Sequence, residues 1–172
     1  MLEGFFELHD FLDTGGPVLW GILLLTIVLW AFILERYWFI LRVYPKRLDL
    51  WLTSWNDRVD KCSWYARKIR QMIISRAEGE LHQSLSVIKT LISLGPLFGL
   101  LGTVTGMIEV FDIMALAHES DARMMASGIS KAIITTMAGL MVALTGLYPA
   151  MQLTQRARRA LGHLEDALTY GV

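Results

Sequence analysis

Three stretches of this chain are long, apolar and free of charge except near their ends, and they constrain its fold more than any other feature. They cover residues 17–41, 89–112 and 130–153. A helix of about 20 apolar residues is long enough to cross the hydrocarbon core of a bilayer. With 54% hydrophobic residues, the 172-residue chain is also too apolar for an average soluble domain. The sequence therefore predicts an all-α integral membrane protein with three transmembrane helices.

The distribution of lysine and arginine predicts the orientation of these helices. Eleven of the 16 basic residues lie between Arg36 and Lys89, three more follow the third stretch, and the first 16 residues contain none. Because basic residues collect on the cytoplasmic side of membrane helices, residues 42–88 and 154–172 are predicted to be cytoplasmic. The N-terminal segment and residues 113–129 then lie outside. Since the N-terminal segment is acidic, it differs from a signal peptide, and the first stretch is expected to remain as an anchor.

The predicted cytoplasmic segments have the period of amphipathic helices. Apolar residues recur at helical spacing in both, so both are predicted to be long helical extensions of the membrane helices. Pro45 is expected to bend the first extension, and Gly79 to loosen the helix that leads into the second stretch. Four aromatic residues here are interpreted as core or headgroup-level side chains rather than a ligand-binding cluster: Trp51, Trp55, Trp64 and Tyr65.

Small residues mark the second and third stretches. In the second, glycines follow one another at steps of four, three and four residues, which places them on one helix face, and the third has an equivalent stripe. Such faces let helix backbones approach closely, so the two helices are predicted to pack on each other and on neighbouring copies. The predicted packing residues are Gly95, Gly99, Gly102, Gly106, Gly139, Ala143 and Gly146.

The few polar residues of these stretches form the candidate site. Thr103 and Thr136 lie about 60 to 80° around the helix from the centres of the two stripes. A hydroxyl can donate and accept hydrogen bonds, so these side chains either line a proton pathway or bond the carbonyls of their own helices. Glu109, near the outer end of the second stretch, is a further candidate for the pathway. Because no carboxylate lies near mid-membrane, a partner would have to bring the group that carries the proton.

Two phrases of these stretches, GPLFGLLGTVTG (residues 95–106) and GISKAIITTMAGL (residues 128–140), resemble signature segments of the MotA/TolQ/ExbB family of proton-channel subunits. The short chain and its three-stretch layout look most like the ExbB branch. The resemblance implies a homo-oligomeric, pentameric ring in the bacterial inner membrane, with the N-terminus periplasmic, around an ExbD-like single-span subunit. It also implies that this complex uses proton motive force to energise TonB for outer-membrane import of iron complexes and vitamin B12.

The resemblance assigns roles to individual residues as well. Thr103 and Thr136 match the family's pore-facing threonines, whereas Thr135 and Gly139 of the same motif are expected to be structural. The chain departs from the family pattern at Lys131, where a glutamate is common, so an acidic role is not carried over to this position.

Other interpretations stay open beside this one. The chain could be a TolQ-like subunit of the Tol-Pal envelope system, or a non-conducting membrane scaffold whose small-residue stripes only hold an assembly together. An enzyme is not expected, because the sequence has no zinc-protease, nucleophile-elbow or P-loop motif.

No bound cofactor or metal is expected either. His118 with Glu119 and Asp121 is interpreted as a solvated loop, and Cys62, the only cysteine, has no internal disulfide partner. Nucleic acid is not expected as a partner, because the predicted topology already explains the basic loop. Membrane lipids are expected as partners.

Overall fold

All regular structure in the described part of the chain is helical. The computed structural model describes residues 2–57, 63–116 and 122–168. In chain order the elements are helix α1 (Leu2–Trp38), a π-helical segment (Phe39–Val43), and helices α2 (Tyr44–Asn56), α3 (Trp64–Leu116) and α4 (Ala122–Ala167).

The number of membrane-length helices agrees with the sequence. Gly15–Trp55, Trp64–Ala115 and Met125–Ala167 are each long and apolar enough to cross a membrane. This confirms the prediction of three such helices in an all-helical protein. The sidedness of the loops and the cytoplasmic assignment of the extensions stay predictions.

Helix α1 is interrupted at Gly16, whose backbone has φ 66° and ψ −162°. Only glycine adopts this combination without strain, because a Cβ would clash with the backbone. Pro17 follows and starts a new helical run, where its missing N–H has no intrahelical partner to lose. The apolar part of α1 therefore begins as a helix separate from the acidic segment before it.

The predicted bend near Pro45 corresponds to a change of helix type. Residues Phe39–Val43 form a π-helical segment, and Pro45 lies in the first turn of α2, directly after it. A proline is tolerated in a first turn, because no hydrogen bond to its nitrogen is required there. The irregularity thus falls on the residues before the proline.

At Gly79 the prediction was wrong, because α3 runs through this residue without a break. One glycine costs a helix only about 1 kcal/mol relative to alanine, which a long helix with packed neighbours tolerates. No described residue has an atom within 4 Å of the position where a Cβ would stand on Gly79. The glycine is therefore neither a hinge nor a site of close approach.

The described chain divides into two compact units. Unit 1 consists of Met1–Trp30 and Thr90–Leu147, and unit 2 of Ala31–Lys89 and Tyr148–Val172. Helices α1, α3 and α4 all contribute to unit 1. Its buried side chains include Val18, Leu19, Ile22, Leu25, Leu29, Val110, Ala132, Thr135 and Val142.

Unit 2 is a helical bundle with its own apolar core. Trp55, Ala66, Ala77, Leu164 and Leu168 form the buried cluster, and Trp51 packs against it. Hence Trp51 and Trp55 belong to a core, as interpreted from the sequence. Two further aromatic residues of the region are about two-thirds exposed instead: Trp64 (69%) and Tyr65 (67%).

Polar contacts hold the end of α4 to this bundle. The Arg70 guanidinium donates to the carbonyl oxygens of Leu168 and Glu165 at 2.8 and 3.0 Å, and the Tyr44 hydroxyl donates to the Ala160 carbonyl at 3.2 Å. The last carbonyls of a helix lack intrahelical partners and carry partial negative charge. A cation at this end therefore satisfies them and stabilises the terminus of α4.

A buried arginine ties α1 to α3 within unit 2. Arg36 is 3% exposed, donates to the Glu80 carbonyl oxygen and stacks on the Phe39 ring at 4.7 Å. Arg47 forms a 2.6 Å ion pair with the Glu80 carboxylate. Glu80 thus binds two guanidinium groups from the preceding helices, one through its backbone carbonyl and one through its carboxylate.

Truncating the core of unit 2 is expected to be costly. Leu164→Ala removes a fully buried side chain from the cluster, and such a change lowers the free energy of unfolding by about 2 to 5 kcal/mol. Leu50→Ala, at a side chain that is 70% exposed, is the matched control and should change it by less than about 0.5 kcal/mol. Denaturant titration in detergent micelles, followed by circular dichroism, measures both. Equal effects of the two variants would contradict this assignment of the core.

Candidate functional site

Glycine residues of α3 and α4 bring the two backbones into direct contact. A Cβ added to Gly95 would lie 2.8 Å from the Gly139 carbonyl oxygen. One added to Gly139 would lie 2.5 Å from the Gly95 carbonyl oxygen and 3.0 Å from the Gly99 nitrogen. No side chain fits between these atoms, so the helices approach as closely as small-residue faces allow.

The other predicted packing residues lie along the same contact or beside it. Gly102 faces the side chain of Thr135, and Gly106 faces Ala132 and the Gly128 carbonyl at 3.0 Å. Ala143 lies across from Gly95, and Gly146 faces Leu29 of α1 together with Ile92. The structure therefore places all seven residues in the interior of unit 1.

Thr135 is a buried member of this contact. Its side chain is 1% exposed, and its hydroxyl lies 3.1 and 3.0 Å from the carbonyl oxygens of Lys131 and Ala132 in its own helix. The hydroxyl occupies the space that the missing side chain of Gly102 leaves free. Thr135 is therefore buried between α3 and α4.

Thr136 lies at the edge of the contact and is half-buried. Its hydroxyl lies 3.2 Å from the Gly99 carbonyl oxygen of α3 and 3.0 Å from the Ala132 carbonyl oxygen of its own helix. A hydroxyl has one proton, so it donates to one of these carbonyls at a time and can still accept a hydrogen bond. Thr136 thus links the two helices, and its hydroxyl oxygen can still accept a hydrogen bond.

Thr103 is also half-buried, and its hydroxyl donates to the Leu100 carbonyl oxygen at 2.7 Å. This bond lies within α3. As at Thr136, the proton is used by a backbone carbonyl and the oxygen lone pairs remain able to accept. A donor such as water could therefore be bound without breaking the bond to the helix.

Both threonines lie on the side of the α3–α4 pair that faces away from α1. Helix α1 approaches α3 at Phe98, whose ring is 3.2 Å from a Cβ position on Gly21, and approaches α4 at Lys131. Thr103 follows Phe98 by five residues, and Thr136 follows Lys131 by five residues. Five residues turn a helix by about 140°. The two hydroxyls therefore share one flank, which α1 does not cover.

Glu109 occupies the opposite flank and is paired. The Lys131 ammonium lies 2.6 and 2.8 Å from the two oxygens of the Glu109 carboxylate. Glu109 follows Thr103 by six residues and so points about 120° away from it. The structure thus brings Thr103 and Thr136 to one flank and leaves Glu109 apart from them. The sequence reasoning treated Glu109 and Lys131 separately and missed their ion pair.

The outward faces of α3 and α4 are apolar and exposed in the single chain. Large hydrophobic side chains on them are about half to two-thirds exposed, among them Leu97, Leu100, Val104 and Ile108 of α3 and Ile133, Met137, Met141 and Leu144 of α4. Exposed apolar surface of this extent must be covered by lipid or by other protein helices.

Among the residues that the structure describes, no group of three histidine, cysteine, aspartate or glutamate side chains is placed to hold a metal ion. His118, Glu119, Asp121 and Cys62 lie outside the described residues.

Comparison with known proteins identifies the family. Residues 50–166 match the MotA/TolQ/ExbB proton channel family. The putative biopolymer transport protein ExbB-like 1 of Synechocystis sp. is 32% identical, over 81% of this chain and 67% of its own length.

Two further relatives match over shorter regions. Biopolymer transport protein exbB1 of Vibrio cholerae is 38% identical over 52% of this chain and 41% of its own, and the Tol-Pal system protein TolQ of Pseudomonas aeruginosa is 33% identical over 56% and 42%. The chain thus spans less than half the length of these two relatives. No solved structure matches the chain. The match across residues 50–166 shows that this chain, with its three membrane-length helices, belongs to the MotA/TolQ/ExbB proton channel family and is ExbB-like.

Proposed function

We propose that this chain is an ExbB-like subunit of a proton-driven motor in the bacterial inner membrane. Family membership supports a proton-channel role, and one structural observation carries the assignment of the pathway. Thr103 and Thr136 place two hydroxyls on the same uncovered flank of the α3–α4 pair, next to its tightest contact. On this flank a neighbouring membrane helix would meet both hydroxyls together.

The chemistry of these hydroxyls suits proton transfer. Each donates to a backbone carbonyl and can accept from a water molecule, so the flank can order a file of waters without holding a charge. A fixed charge there would trap the proton or its carrier, because charges inside a membrane pair strongly. A carboxyl group supplied by an ExbD-like single-span partner would then load and release the proton beside Thr103 and Thr136.

Assembly follows from the exposed apolar faces. Copies of the chain would pack through α3 and α4 into a pentameric ring that turns the threonine flanks inward, and lipids would cover the remaining surface. In this arrangement the N-terminus is periplasmic and the C-terminus cytoplasmic. The complex would energise TonB for import of iron complexes and vitamin B12 across the outer membrane.

A second candidate is a TolQ-like subunit of an envelope system. The 33% identity to TolQ of Pseudomonas aeruginosa, over 56% of this chain, supports it. The pathway residues are the same in both candidates, so the two differ in the protein that the motor drives. Growth on a TonB-dependent iron source and resistance to detergent, measured in a deletion strain, separate them.

Reconstitution tests the proposal. The chain is co-expressed with an ExbD-like single-span protein that carries an aspartate in its membrane helix, and the mass of the purified assembly is measured by native mass spectrometry. The same assembly is placed in liposomes with a pH-sensitive dye. We expect a pentamer that retains the partner and carries protons, and an assembly whose partner has asparagine for aspartate should carry none. A monomer or dimer that does not bind the partner would support the non-conducting scaffold instead.

A further inference from the structure

An ion pair joins α3 and α4 near the C-terminal end of α3. Lys131 reaches both carboxylate oxygens of Glu109, at 2.6 and 2.8 Å, and its side chain is only 20% exposed whereas that of Glu109 is 48% exposed. The geometry is bidentate, so the ammonium is neutralised by one partner. The pair lies on the flank of the two helices that faces α1.

The break in α1 provides space for this lysine. A Cβ added to Gly16 would lie 2.8 Å from both Cε and Nζ of Lys131. Because Gly16 also has a positive φ, any other residue there would meet both backbone strain and the lysine side chain. The ammonium is therefore held between the Glu109 carboxylate and the backbone of α1.

A lysine in this position needs such a partner. An ionised side chain within a membrane helix is costly, and it pairs with whatever opposite charge is within reach. The carboxyl group proposed to carry protons on the partner helix would be one such charge. An ammonium beside it would favour its ionised form and so reduce the fraction able to bind a proton.

We propose that Glu109 is a positioning residue that masks Lys131. By holding the ammonium in a neutral pair on the flank that faces α1, Glu109 keeps it from the partner's carboxyl group on the threonine flank. This inference rests on the proposed function, and it gives Glu109 a role different from carrying protons. The two roles predict different behaviour when both charges are removed together.

Proton flux through the reconstituted complex distinguishes them. E109Q exposes Lys131 and should reduce partner-dependent flux by about tenfold or more, whereas K131M should keep most of it. The E109Q/K131M double variant should recover flux, since no ammonium is left to capture the carboxyl group. D112N is the matched control, because it removes the same charge one turn further along α3, and it should leave flux unchanged. If Glu109 itself carries protons, the double variant will be as inactive as E109Q.

A second measurement does not depend on conduction. The affinity of the chain in nanodiscs is measured for two synthetic polyleucine helices. One helix has a single central aspartate, and its twin has asparagine at the same position. Wild-type chain should bind both alike, and E109Q should bind the aspartate helix about tenfold more tightly than its twin. E109Q/K131M should lose this preference.

The two readouts separate failure of the inference from failure of the proposed function. If wild-type assemblies carry no protons but E109Q selects the aspartate helix, the masking role stands and the motor role falls. If the wild-type complex conducts and E109Q shows neither lost flux nor this selectivity, the masking role is overturned. Circular dichroism of each variant shows that the chain is folded in either case.

Discussion

Replacing both Thr103 and Thr136 by valine is expected to reduce partner-dependent proton flux to the level of empty liposomes. Valine has nearly the shape of threonine, so the half-buried positions stay filled and the helices keep their contact. What is lost is the pair of hydroxyls that can hold water on the flank away from α1. The carbonyls of Leu100 and Ala132 remain bonded within their helices, so the change costs at most about 1 kcal/mol per site. The dye assay in liposomes measures the flux, and native mass spectrometry checks assembly.

The chain offers a matched control in the same two helices. Thr105 and Thr145 also donate to carbonyls of their own helices, at 3.0 to 3.1 Å and 2.9 to 3.1 Å. They lie about 160° and 180° around from Thr103 and Thr136, on the other side of each helix. A T105V/T145V variant therefore makes the same chemical change on the opposite flank and should conduct as the wild type does. Equal loss in both double variants would contradict the assignment of the pathway to one flank.

The sequence predicted the three membrane helices and the buried faces of α3 and α4, because both depend on local patterns. Apolar length alone set the number of membrane helices, and glycine spacing marked the interior faces of α3 and α4. The sequence also separated two adjacent threonines, because the spacing put Thr136 to the side of the stripe and the family resemblance gave Thr135 a structural role. In the structure Thr135 is 1% exposed and packs against Gly102, whereas Thr136 lies at the edge of the contact. Spacing does not give the partner of each hydroxyl, such as the Gly99 carbonyl for Thr136, because that depends on how α4 is placed against α3.

The ion pair of Glu109 with Lys131 was missed for a related reason. Its existence depends on the register of two antiparallel helices, which is fixed by contacts such as Gly102 with Thr135 and Gly106 with Ala132. A signal was available, since aligning the two small-residue stripes antiparallel places position 109 close to position 131. The break at Gly16 had a local signal as well, since the pair of Gly16 and Pro17 marks a turn or a loop, but the sequence reasoning did not use it.

The Glu109–Lys131 ion pair and the hydroxyls of Thr103 and Thr136 lie on opposite flanks of the α3–α4 pair, and this bears on the proposed function. Helix α1 packs on the flank that carries the ion pair, and the two neutral hydroxyls lie on the other flank. A membrane helix that docked beside Thr103 and Thr136 would meet hydroxyl groups, and the Glu109–Lys131 pair would lie away from it. This separation is what a mobile proton carrier requires, since a carboxyl group can change its protonation state there without being captured.

Gly139→Ala is expected to have the largest effect on stability of any single methyl addition to α4. The new Cβ would lie 2.5 Å from the Gly95 carbonyl oxygen and 3.0 Å from the Gly99 nitrogen, so two backbones must move apart. Overpacking of this kind costs about 1 to 3 kcal/mol even where side chains can yield, and backbone atoms yield less. Separation of the helices would also lengthen the bond from Thr136 to the Gly99 carbonyl, so proton flux should fall with stability.

Gly162→Ala makes the same chemical change later in the same helix, at a position where the described part of the chain has no atom within 4 Å of the new Cβ. There the substitution removes only the entropic cost of a helical glycine, so it should raise the free energy of unfolding by about 0.5 to 1 kcal/mol. Thermal unfolding of both variants in detergent gives the comparison, with Gly95→Ala and Gly79→Ala as the corresponding pair in α3. If Gly139→Ala and Gly162→Ala unfold at the same temperature, close backbone approach does not hold α3 to α4. Opposite signs would show that glycine stabilises the fold at position 139, where another backbone lies close, and lowers stability at position 162.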